Sequence, residues 1–401
     1  MKKFENFATN SFSPKWENAI KREVPLYSRN NDIRSEFERD YTRIIHSNAY
    51  RRLKHKTQVF FSPNNDHVCT RIEHVTHVDS ISYTIANYLG LNTELTKAIS
   101  VAHDLGHSPF GHAGEKVLSD ISMRDLHIPF WHEKNGLEFV DFMELLEDSD
   151  RFKQNLNLSY AVRDGIISHC GEIDENCIRP REEYIDLHSY EYPNQYAPYT
   201  WEACIVKISD KISYIGRDIE DSITLGLLDD NLDDLYKILN LGDSGKKFNN
   251  TIIINYLTCD LCTNSTPEKG LCFSDEAFEL LNKIKRFNYL NIYLSDRIKP
   301  SIKYFNLVIN QIYDTLKNCF DGKNTISRLQ DLSLVSAKLS DSFINFVYDY
   351  YDCGNRDTLK LKNKILFDFS SELDFCKCIL YYISGMTDNF AIEIYNDIIG
   401  F

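Results

Sequence analysis

Apolar residues recur three or four positions apart over long parts of the chain, a spacing typical of one buried face of an α-helix. The clearest early case follows Thr70, which forms a capping-box pattern with Glu73 three residues later. Gly90 supplies a stop for this element. The residues that share its apolar face are Ile72, Val75, Val78, Ile81, Ile85 and Leu89. We therefore predict a helix from Thr70 to Gly90.

A second helix is predicted from about Thr93 to Leu105, with Gly106 as its end. It carries His103 and Asp104 in its last turn. Because a glycine lets the chain change direction, the histidines farther along could return toward the same place. Together with His74 on the preceding helix, His103 and Asp104 give two successive elements side chains that suit metal or proton chemistry.

The longest regular pattern runs from Glu202 to Leu228. Its apolar stripe consists of isoleucines, namely Ile205, Ile208, Ile212, Ile215, Ile219 and Ile223. Beside it runs a polar stripe made of Lys207, Asp210, Lys211, Tyr214 and Asp218. The isoleucines indicate core packing. The polar stripe has two interpretations, the wall of a pocket or a solvent-exposed face with paired charges.

Helical spacing continues over most of the remaining chain, including 136–146 and the region beyond 275. The segment 62–65 is predicted to be a loop, and 171–200, rich in Glu, Tyr, Pro and Asn, a long insertion or lid loop. The stretch 240–275 combines a linker, a short apolar run and a loop. No strong alternation of apolar and polar residues indicates a half-buried strand, so the predicted fold class is all-α.

The charge balance is acidic, since 45 basic and 59 acidic side chains give a net charge of −14. Such a chain is poorly suited to binding nucleic acid over its whole surface, so nucleic acid is not the expected partner. One basic run, RRLKHK at 51–56, includes Arg52. It is either a solvated face or a local contact for phosphate.

The N-terminal region lacks the apolar run of a signal peptide, and no stretch approaches the roughly 20 apolar residues that span a bilayer. These features predict a cytoplasmic protein without membrane contact. The eleven cysteines are accordingly expected to be reduced thiols, mostly packed in the core. A zinc knuckle around Cys259 and Cys262, or Cys376 and Cys378, is the less favoured alternative, because neither pair has a second pair at zinc spacing.

Two imidazoles and two carboxylates form a candidate ligand set for a divalent metal ion: His74, His103, Asp104 and Asp210. Three or four protein ligands leave open positions, as a catalytic metal requires. A single histidine on a helix is more commonly a core or surface residue. Packing does not readily explain a histidine on one helix, a His-Asp pair ending the next and an aspartate on a later polar stripe. We therefore predict a metal site.

The same four residues resemble the H…HD…D signature of the HD-domain phosphohydrolases. The surrounding sequence is similar to one branch of that family, the dGTPase-like deoxynucleoside triphosphate triphosphohydrolases. The similarity covers about residues 34–223 through the motifs RDYTRIIHSNAYRRLKHKTQVF, TRIEH, AHDLGHSPFGHAGE, NLNLSYAVRDGIISH and EACIVKISDKISYIGRDIED. It implies an N-terminal arm and HD-domain core over 1–235, and a helical associated domain over 236–401.

The resemblance also implies a role for each matching residue. The metal ligands would be His74, His103, Asp104 and Asp210. Catalysis would involve His112, its partner Glu115, and His107. Substrate contacts would be made by Gln58, Arg52, Arg71, His132, Lys211, Tyr214 and Asp218. A tyrosine ring against the sugar leaves no room for a 2′-hydroxyl, which favours deoxy substrates.

Two positions depart from the pattern of the bacterial enzymes. Ser209 precedes Asp210 where a second acid is common, and Glu133 follows His132 where asparagine is usual. These departures bear on base preference and regulation, whereas the four proposed metal ligands are intact.

The implied activity is metal-dependent hydrolysis of deoxynucleoside triphosphates, of the dGTP type, to deoxynucleoside and inorganic triphosphate. The cofactor would be Mg²⁺, Mn²⁺ or another transition metal. The implied partners are the dNTP substrate, an allosteric nucleotide as an open option, and further copies of the chain in a tetramer or hexamer. Two alternatives stay open: another HD-domain phosphohydrolase, acting on monophosphates or signalling nucleotides, and a non-catalytic protein that binds nucleotides or single-stranded DNA.

Overall fold

Helices dominate the computed structural model, which describes residues 2–26, 32–61, 65, 67–170, 176–229, 232–239 and 248–400. Within these residues there are seventeen α-helices and one short antiparallel hairpin. The all-α fold class predicted from apolar spacing is therefore confirmed.

The helices, in chain order, are α1 (Trp16–Ala19), α2 (Glu36–His46), α3 (Asn48–Arg52), α4 (Arg71–Leu89), α5 (Thr93–Ala102), α6 (Gly111–Asp125), α7 (His132–Glu138), α8 (Tyr160–Ser168), α9 (Trp201–Thr224), α10 (Leu232–Ile238), α11 (Asn250–Asn264), α12 (Asp275–Asn288), α13 (Lys299–Lys317), α14 (Thr325–Leu332), α15 (Ala337–Tyr350), α16 (Glu372–Ser384) and α17 (Asp388–Ile399). The two strands are β1 (Leu145–Glu147) and β2 (Lys153–Asn155). Single π-helical segments follow α7 at Phe139–Met143 and α12 at Tyr289–Tyr293.

The chain divides into two compact units, each assembled from three separate segments. Unit 1 comprises Met1–Thr42, Ser62–His103 and Leu158–Pro300, and unit 2 comprises Arg43–Phe61, Asp104–Asn157 and Ser301–Phe401. The division at about residue 235 that the resemblance implies stays a prediction, because these units are defined by spatial compactness alone.

The centre of unit 1 is formed by α4, α5, α8 and α9, which pack against one another. The isoleucine stripe of α9 lies in this core, where Ile212 and Ile215 have no exposed surface. Full burial of one such side chain contributes about 1.5–3 kcal/mol. Gly165 lets α8 pack closely against α5, because a Cβ there would lie 2.5 Å from Cγ2 of Ile99. These four helices therefore hold their polar residues in fixed positions.

The predicted boundaries of α4 are confirmed. Glu73 accepts a hydrogen bond from the backbone N–H of Thr70 at 2.8 Å, which closes the capping box. Gly90 has a φ of +92°, the left-handed conformation that ends helices. The start of α4 and the side chains of its first turns are thus fixed by local sequence.

Two predicted elements differ from the structure. Helix α5 ends at Ala102, earlier than the predicted Leu105, so His103 and Asp104 follow it in a turn. The segment 136–146 is not one helix, because α7 begins at His132 and gives way to the π-helical segment and then β1. Asp148 explains the change, since its side chain accepts the backbone N–H groups of Asp150 and Phe152 and closes the hairpin.

The predictions for the loops and for the stretch 240–275 were confirmed in part. Described residues from 176 to 200 contain a 3-10 turn at Leu187–Ser189 and one bridge residue, Ile178, but no α-helix or strand, as expected of a long loop. The stretch 240–275 contains a full helix, α11, where a short apolar run was expected. The predicted loop at 62–64, the start of the long loop at 171–175 and the linker at 242–247 lie outside the described residues.

Unit 2 includes α3, α6, α7, the β1–β2 hairpin and the C-terminal helices. Helix α6 packs on α16, and α15 contacts α14, α16 and α17. The buried carboxylate of Asp388, at the start of α17, accepts the backbone N–H of Thr57 at 2.9 Å and that of Phe110 at 2.8 Å. Phe110 also stacks on Phe305, with ring centroids 4.3 Å apart. These contacts fix the segments on either side of the histidine-rich turn of unit 2.

The expectation that all cysteines are reduced is wrong for one pair. Cys177 and Cys272 of unit 1 form a disulfide, whereas the nine other cysteines are free thiols. The two backbones are already aligned by an antiparallel bridge between Ile178 and Leu271. Sequence could not pair them because 95 positions separate the two cysteines.

Within the described part of the chain, no helix combines the length and the apolar character that crossing a membrane requires.

Candidate active site

Three side chains of unit 1, two on helices and one in the turn after a helix, meet at one point. His74 from the first turns of α4, His103 after α5 and Asp210 of α9 offer ligand atoms that all lie within 4.8 Å of one another. Nε2 of His74 lies 2.9 Å from Oδ1 of Asp210, and Nε2 of His103 lies 3.9 Å from the same oxygen. We call His74, His103 and Asp210 the aspartate cluster.

Hydrogen bonds fix the imidazole rings of this region. Nδ1 of His103 lies 2.7 Å from the carbonyl oxygen of Ser100. Because that oxygen can only accept, Nδ1 carries a proton, and the neutral ring keeps its lone pair on Nε2. His169, at the end of α8, repeats this bond to the carbonyl of Ile166 at 2.6 Å, and its ring lies edge-on to His103 at 5.0 Å.

The electrostatics of the aspartate cluster favour an ionised carboxylate. Burial alone would raise the pKa of Asp210, but the hydrogen bond from His74 and the charges of His74, His103 and His169 lower it well below its usual value. Asp210 is therefore a carboxylate near neutral pH, which is the form that binds metal ions.

The chemistry of the aspartate cluster fits a divalent metal ion. Two imidazole nitrogens and a carboxylate oxygen suit first-row transition metals, and carboxylate oxygen also suits Mg²⁺ and Mn²⁺. Three protein ligands leave coordination positions open. The structure thus brings together His74, His103 and Asp210, and their role as ligands stays a prediction.

Asp104, the fourth predicted ligand, directly follows His103 in the chain and is counted with unit 2. Its Oδ1 lies 2.9 Å from Nδ1 of His107, and both side chains are buried. The carboxylate of Asp104 therefore lies next to the His107 ring, and an imidazolium at His107 would form an ion pair with it.

A second group of side chains lies in unit 2 and consists of His107, His112, Glu115 and His132, whose ligand atoms also lie within 4.8 Å of one another. We call it the glutamate cluster. Its carboxylate lies 3.2 Å from Nδ1 of His112 and 3.1 Å from Nδ1 of His132. The rings of His107 and His132 are 3.8 Å apart. The predicted catalytic residues His107, His112 and Glu115 are therefore neighbours.

His132 is held between two carboxylates. Glu115 accepts from its backbone N–H at 3.0 Å and faces Nδ1, while Oε1 of Glu133 lies 3.2 Å from Nε2. Burial alone would lower the pKa of His132, but the charges of Glu133 and Glu115 raise it to about 9. Burial would likewise raise the pKa of Glu115, yet His132 and His112 hold it well below its usual value. His132 is thus an imidazolium at neutral pH.

The turn that carries His107 is held by close backbone packing within unit 2. A Cβ on Gly106 would lie 2.1 Å from the carbonyl oxygen of His132 and from the backbone nitrogen of Gly136. Asn135 of α7 donates to the Gly106 carbonyl at 2.7 Å, and buried Lys56 donates to the carbonyl of His107. Gly106 therefore serves as a contact point for α7 and not as a left-handed helix cap.

The predicted substrate residues of unit 1 lie on α4 and α9. Arg71 begins α4 and is 1% exposed, and Lys211 of α9 is 5% exposed. Lys211 lines a small pocket with Ile208. Tyr214 is half-buried one helical turn from Asp210. These positions put both cations and the tyrosine on the helices that carry the aspartate cluster.

Asp218, one turn beyond Tyr214, is buried and accepts a hydrogen bond from the hydroxyl of Tyr293. Burial and the nearby Asp221 raise the pKa of Asp218 to about 7, against the lowering effect of Tyr293. The carboxyl group therefore keeps its proton to a higher pH than an ordinary aspartate, and its protonated form can donate as well as accept a hydrogen bond.

The two predicted substrate residues of unit 2 are Gln58 and Arg52. Gln58 is buried, whereas Arg52 at the end of α3 is partly exposed. Arg52 forms an ion pair with the buried carboxylate of Glu144 at 2.5 Å. The guanidinium thus already has an acidic partner, and its predicted contact with substrate stays a prediction.

Fold and site together define the class. The chain is a helical protein whose residues 71–215 match the family model of the HD domain. This interval contains all four predicted metal ligands and both clusters. The coarse activity that follows is that of a metal-dependent nucleotide phosphohydrolase.

Whole-chain comparisons define the branch. The chain is 32% identical over 387 residues to a deoxyguanosinetriphosphate triphosphohydrolase-like protein of Rickettsia bellii, with 94% of each chain covered. A protein of the same name from Caldanaerobacter subterraneus subsp. tengcongensis is 37% identical over 285 residues, covering 70% of this chain and 72% of the relative. The chain belongs to the HD-domain family of deoxyguanosinetriphosphate triphosphohydrolase-like proteins.

Sequence reasoning did not select three residues that the structure places in these sites. His169 lies beside His103, and Tyr293 donates to Asp218. Glu133 was noted only as a departure from the family pattern, yet it contacts His132. His169 had a usable signal, a histidine at the end of a predicted helix inside a family motif, whereas Tyr293 is one of 24 tyrosines and had none.

Proposed function

We propose that the protein hydrolyses deoxynucleoside triphosphates, of the dGTP type, to deoxynucleoside and inorganic triphosphate. The single observation that supports this most is the convergence of His74 of α4, His103 just after α5 and Asp210 of α9 on one point. The names of the relatives point to the same substrate class. A cytoplasmic location and a homo-oligomer, tetrameric or hexameric, belong to the same proposal.

The aspartate cluster, with Asp104, would hold a divalent ion. A bound ion of this kind polarises a phosphate oxygen and lowers the pKa of water. Asp210 supplies negative charge in its ionised form, and the His103 tautomer presents Nε2 as a ligand. Arg71 and Lys211 would offset charge on the triphosphate.

The glutamate cluster would supply the proton that the leaving 5′-oxygen requires. His112 is largely exposed, and its Nδ1 is held by Glu115 at 3.2 Å, which leaves Nε2 to face a substrate. As a general acid, His112 would donate its Nε2 proton to the 5′-oxygen as a water oxygen bonds to the α-phosphorus and the bond from the 5′-oxygen to that phosphorus breaks. His132, an imidazolium held by two carboxylates, and His107 would bind phosphate oxygens.

Sugar recognition would fall to Tyr214, Asp218 and Gln58. A tyrosine ring against the deoxyribose excludes a 2′-hydroxyl sterically. Asp218, with Gln58, would hydrogen bond to the 3′-hydroxyl, and Tyr293 holds the carboxyl group in place. Analogues without a 3′-hydroxyl would leave a buried polar group unpaired and bind poorly.

The decisive experiment is product identification from each dNTP, singly and in mixtures, with Mg²⁺ or Mn²⁺. We expect equal amounts of deoxynucleoside and tripolyphosphate, and faster turnover in mixtures if a second nucleotide activates the enzyme. His112→Ala should reduce kcat by about 100-fold or more. Lys116→Ala, an exposed change on the same helix α6, is the matched control and should leave kcat unchanged.

Other products would point to the alternatives. Orthophosphate from monophosphates, or hydrolysis of a signalling nucleotide, would assign the protein to another HD-domain activity. Salt-dependent retention of single-stranded DNA without turnover of any nucleotide would favour a binding protein. Wild-type turnover by His112→Ala would reject its role as the general acid.

A further inference from the structure

Unit 2 contains a cleft of about 640 Å³, which is within the size range of small-ligand pockets. It lies among α3, the π-helical segment after α7, the β1–β2 hairpin, α15 and the α16–α17 turn. No member of the glutamate cluster lines it, and Arg52 is the one predicted substrate residue that does. The cleft is therefore a feature that the proposed chemistry leaves unused.

Flat aromatic side chains form much of its lining. Phe346 of α15 lies 5.0 Å from the ring of Tyr350 and 5.5 Å from that of Tyr382. The two hydroxyls are already engaged, because Tyr350 donates to the carbonyl of Met143 and Tyr382 shares a hydrogen bond with Ser342. Because Tyr350 and Tyr382 are also largely buried, the half-buried ring of Phe346 is the surface that this group offers to a ligand.

The charged lining is mixed and slightly acidic. Arg52 pairs with Glu144 at 2.5 Å, and Lys153 pairs with Asp349 at 3.4 Å. Glu147 adds a further carboxylate, so acids exceed bases by one. The excess of acidic side chains would repel a triphosphate, and the positive charges of Arg52 and Lys153 would repel an organic cation. An uncharged ligand with both donors and acceptors suits such a lining best.

We propose that this cleft binds a purine nucleoside, with the base against the aromatic wall around Phe346. Its ring N–H and amino groups would donate to the carboxylates that line the cleft, as amino groups of bases do to acidic side chains. A two-ring base offers the larger stacking surface. Binding does not require that the proposed reaction occur, although a purine deoxynucleoside is also a product of that reaction.

The test uses the full chain and deoxyguanosine as the probe. Equilibrium dialysis with radiolabelled deoxyguanosine measures affinity, and photo-cross-linking with 8-azido-2′-deoxyguanosine followed by peptide mapping locates the site. We expect cross-links in the peptides that carry Phe346 and Tyr382. Unlabelled deoxyguanosine should compete for this label, whereas tripolyphosphate should not.

Two variants test the aromatic and acidic walls separately. Phe346→Leu keeps an apolar side chain without a flat ring and should weaken binding about tenfold, as loss of one base-stacking contact does. Asp349→Asn should weaken it by a similar factor. Asp150→Asn is the control, because this exposed residue lies in the same hairpin but outside the lining. Thermal unfolding of each variant verifies that it is folded.

Several outcomes would overturn the proposal. The first is a label found only in peptides of the aspartate or glutamate cluster, and the second is an affinity for deoxyguanosine that neither cleft variant changes. The third is tighter binding of dGTP than of deoxyguanosine in the cleft. The fourth is displacement of the label by single-stranded DNA at a lower concentration than the nucleoside requires. Because all readouts are binding measurements, a protein without triphosphohydrolase activity could still confirm the site. An active enzyme could equally fail this test.

Discussion

Nε2 of His74 lies 2.9 Å from Oδ1 of Asp210, although the two residues belong to helices that are far apart in the chain. Such an approach of an imidazole and a carboxylate is either a hydrogen-bonded pair, with the imidazole neutral or charged, or a pair of metal ligands. The hydrogen bond that fixes the His103 tautomer favours the second interpretation, because it presents another nitrogen lone pair to the same carboxylate region.

Replacing Asp210 with asparagine tests this relationship directly. Asp210→Asn removes the charge and retains the shape of the side chain. The affinity for Mn²⁺ should therefore fall by at least about a hundredfold, since even the loss of a residue that hydrogen bonds to a metal ligand lowers metal affinity about 10–100-fold. Metal content after dialysis against Mn²⁺, measured by mass spectrometry, checks this. Asp229→Asn, an exposed change just beyond α9, is the control. Equal metal content in the two variants would remove Asp210 from the metal site.

His132 predicts a pH dependence of stability. Its pKa is raised from 6.5 to about 9. A group with a higher pKa in the folded state stabilises the fold fully below its unfolded pKa, and this contribution is lost as pH rises through the folded pKa. Glu133→Gln should therefore lower the free energy of unfolding most below pH 6.5, with the deficit shrinking toward pH 9.

Urea unfolding at three pH values between 6 and 9.5 measures this difference, whose size should be on the order of a few kcal/mol. An NMR titration of His132 in the same variant should show a lower pKa. Asp120→Asn, on the exposed side of α6, is the control and should give a difference that does not depend on pH in this range. A deficit for Glu133→Gln that is constant with pH would mean that Glu133 acts through packing alone.

Sequence predicted the elements whose causes are local. The start of α4 follows from Thr70 and Glu73, and the core side of α9 follows from isoleucines at helical spacing. The histidines and the aspartate of the aspartate cluster could also be selected, because their residue types suit a metal and few packing arguments explain their pattern. These predictions needed only neighbours in sequence.

What sequence could not supply is the set of contacts between distant segments. Tyr293 reaches Asp218 from a π-helical segment, and the Cys177–Cys272 bond joins two loops. The end of α5 was also missed, since Gly106 serves the approach of α7 and not a helix cap. In each case the deciding interaction is tertiary, and a periodic pattern does not contain it.

The raised pKa of Asp218 predicts that this residue changes the stability of the fold with pH in the direction opposite to an ordinary carboxylate. Its pKa is raised from 3.8 to about 7, so the folded state binds more protons than the unfolded state over this interval. Ionised Asp218 consequently destabilises the fold as pH rises from 3.8 to 7. Asp218→Asn should raise the melting temperature at pH 8 and have a smaller effect at pH 5.

Tyr293→Phe is the matched comparison for this prediction. It removes the hydrogen bond that lowers the pKa of Asp218, so it should decrease the melting temperature at pH 8 more than at pH 5. Scanning calorimetry at both values of pH measures the two variants side by side. If Asp218→Asn has the same effect at pH 5 and pH 8, the carboxyl group does not titrate in this interval.

Gly106 tests whether backbone contact in unit 2 positions the glutamate cluster. Gly106→Ala adds a Cβ that would lie 2.1 Å from the carbonyl oxygen of His132, so α7 must shift away. The expected cost is about 3 kcal/mol in the free energy of unfolding, at the upper end of typical overpacking. Displacement of His132 from Glu115 should also return the His132 pKa toward its usual value. Gly385→Ala is the control, because its Cβ would come no nearer than 3.2 Å to the ring of Phe139 and 3.4 Å to the carbonyl oxygen of Tyr381. Chemical denaturation and the NMR titration of His132 measure both effects, and a Gly106→Ala protein as stable as wild type would show that this contact does not hold α7 in place.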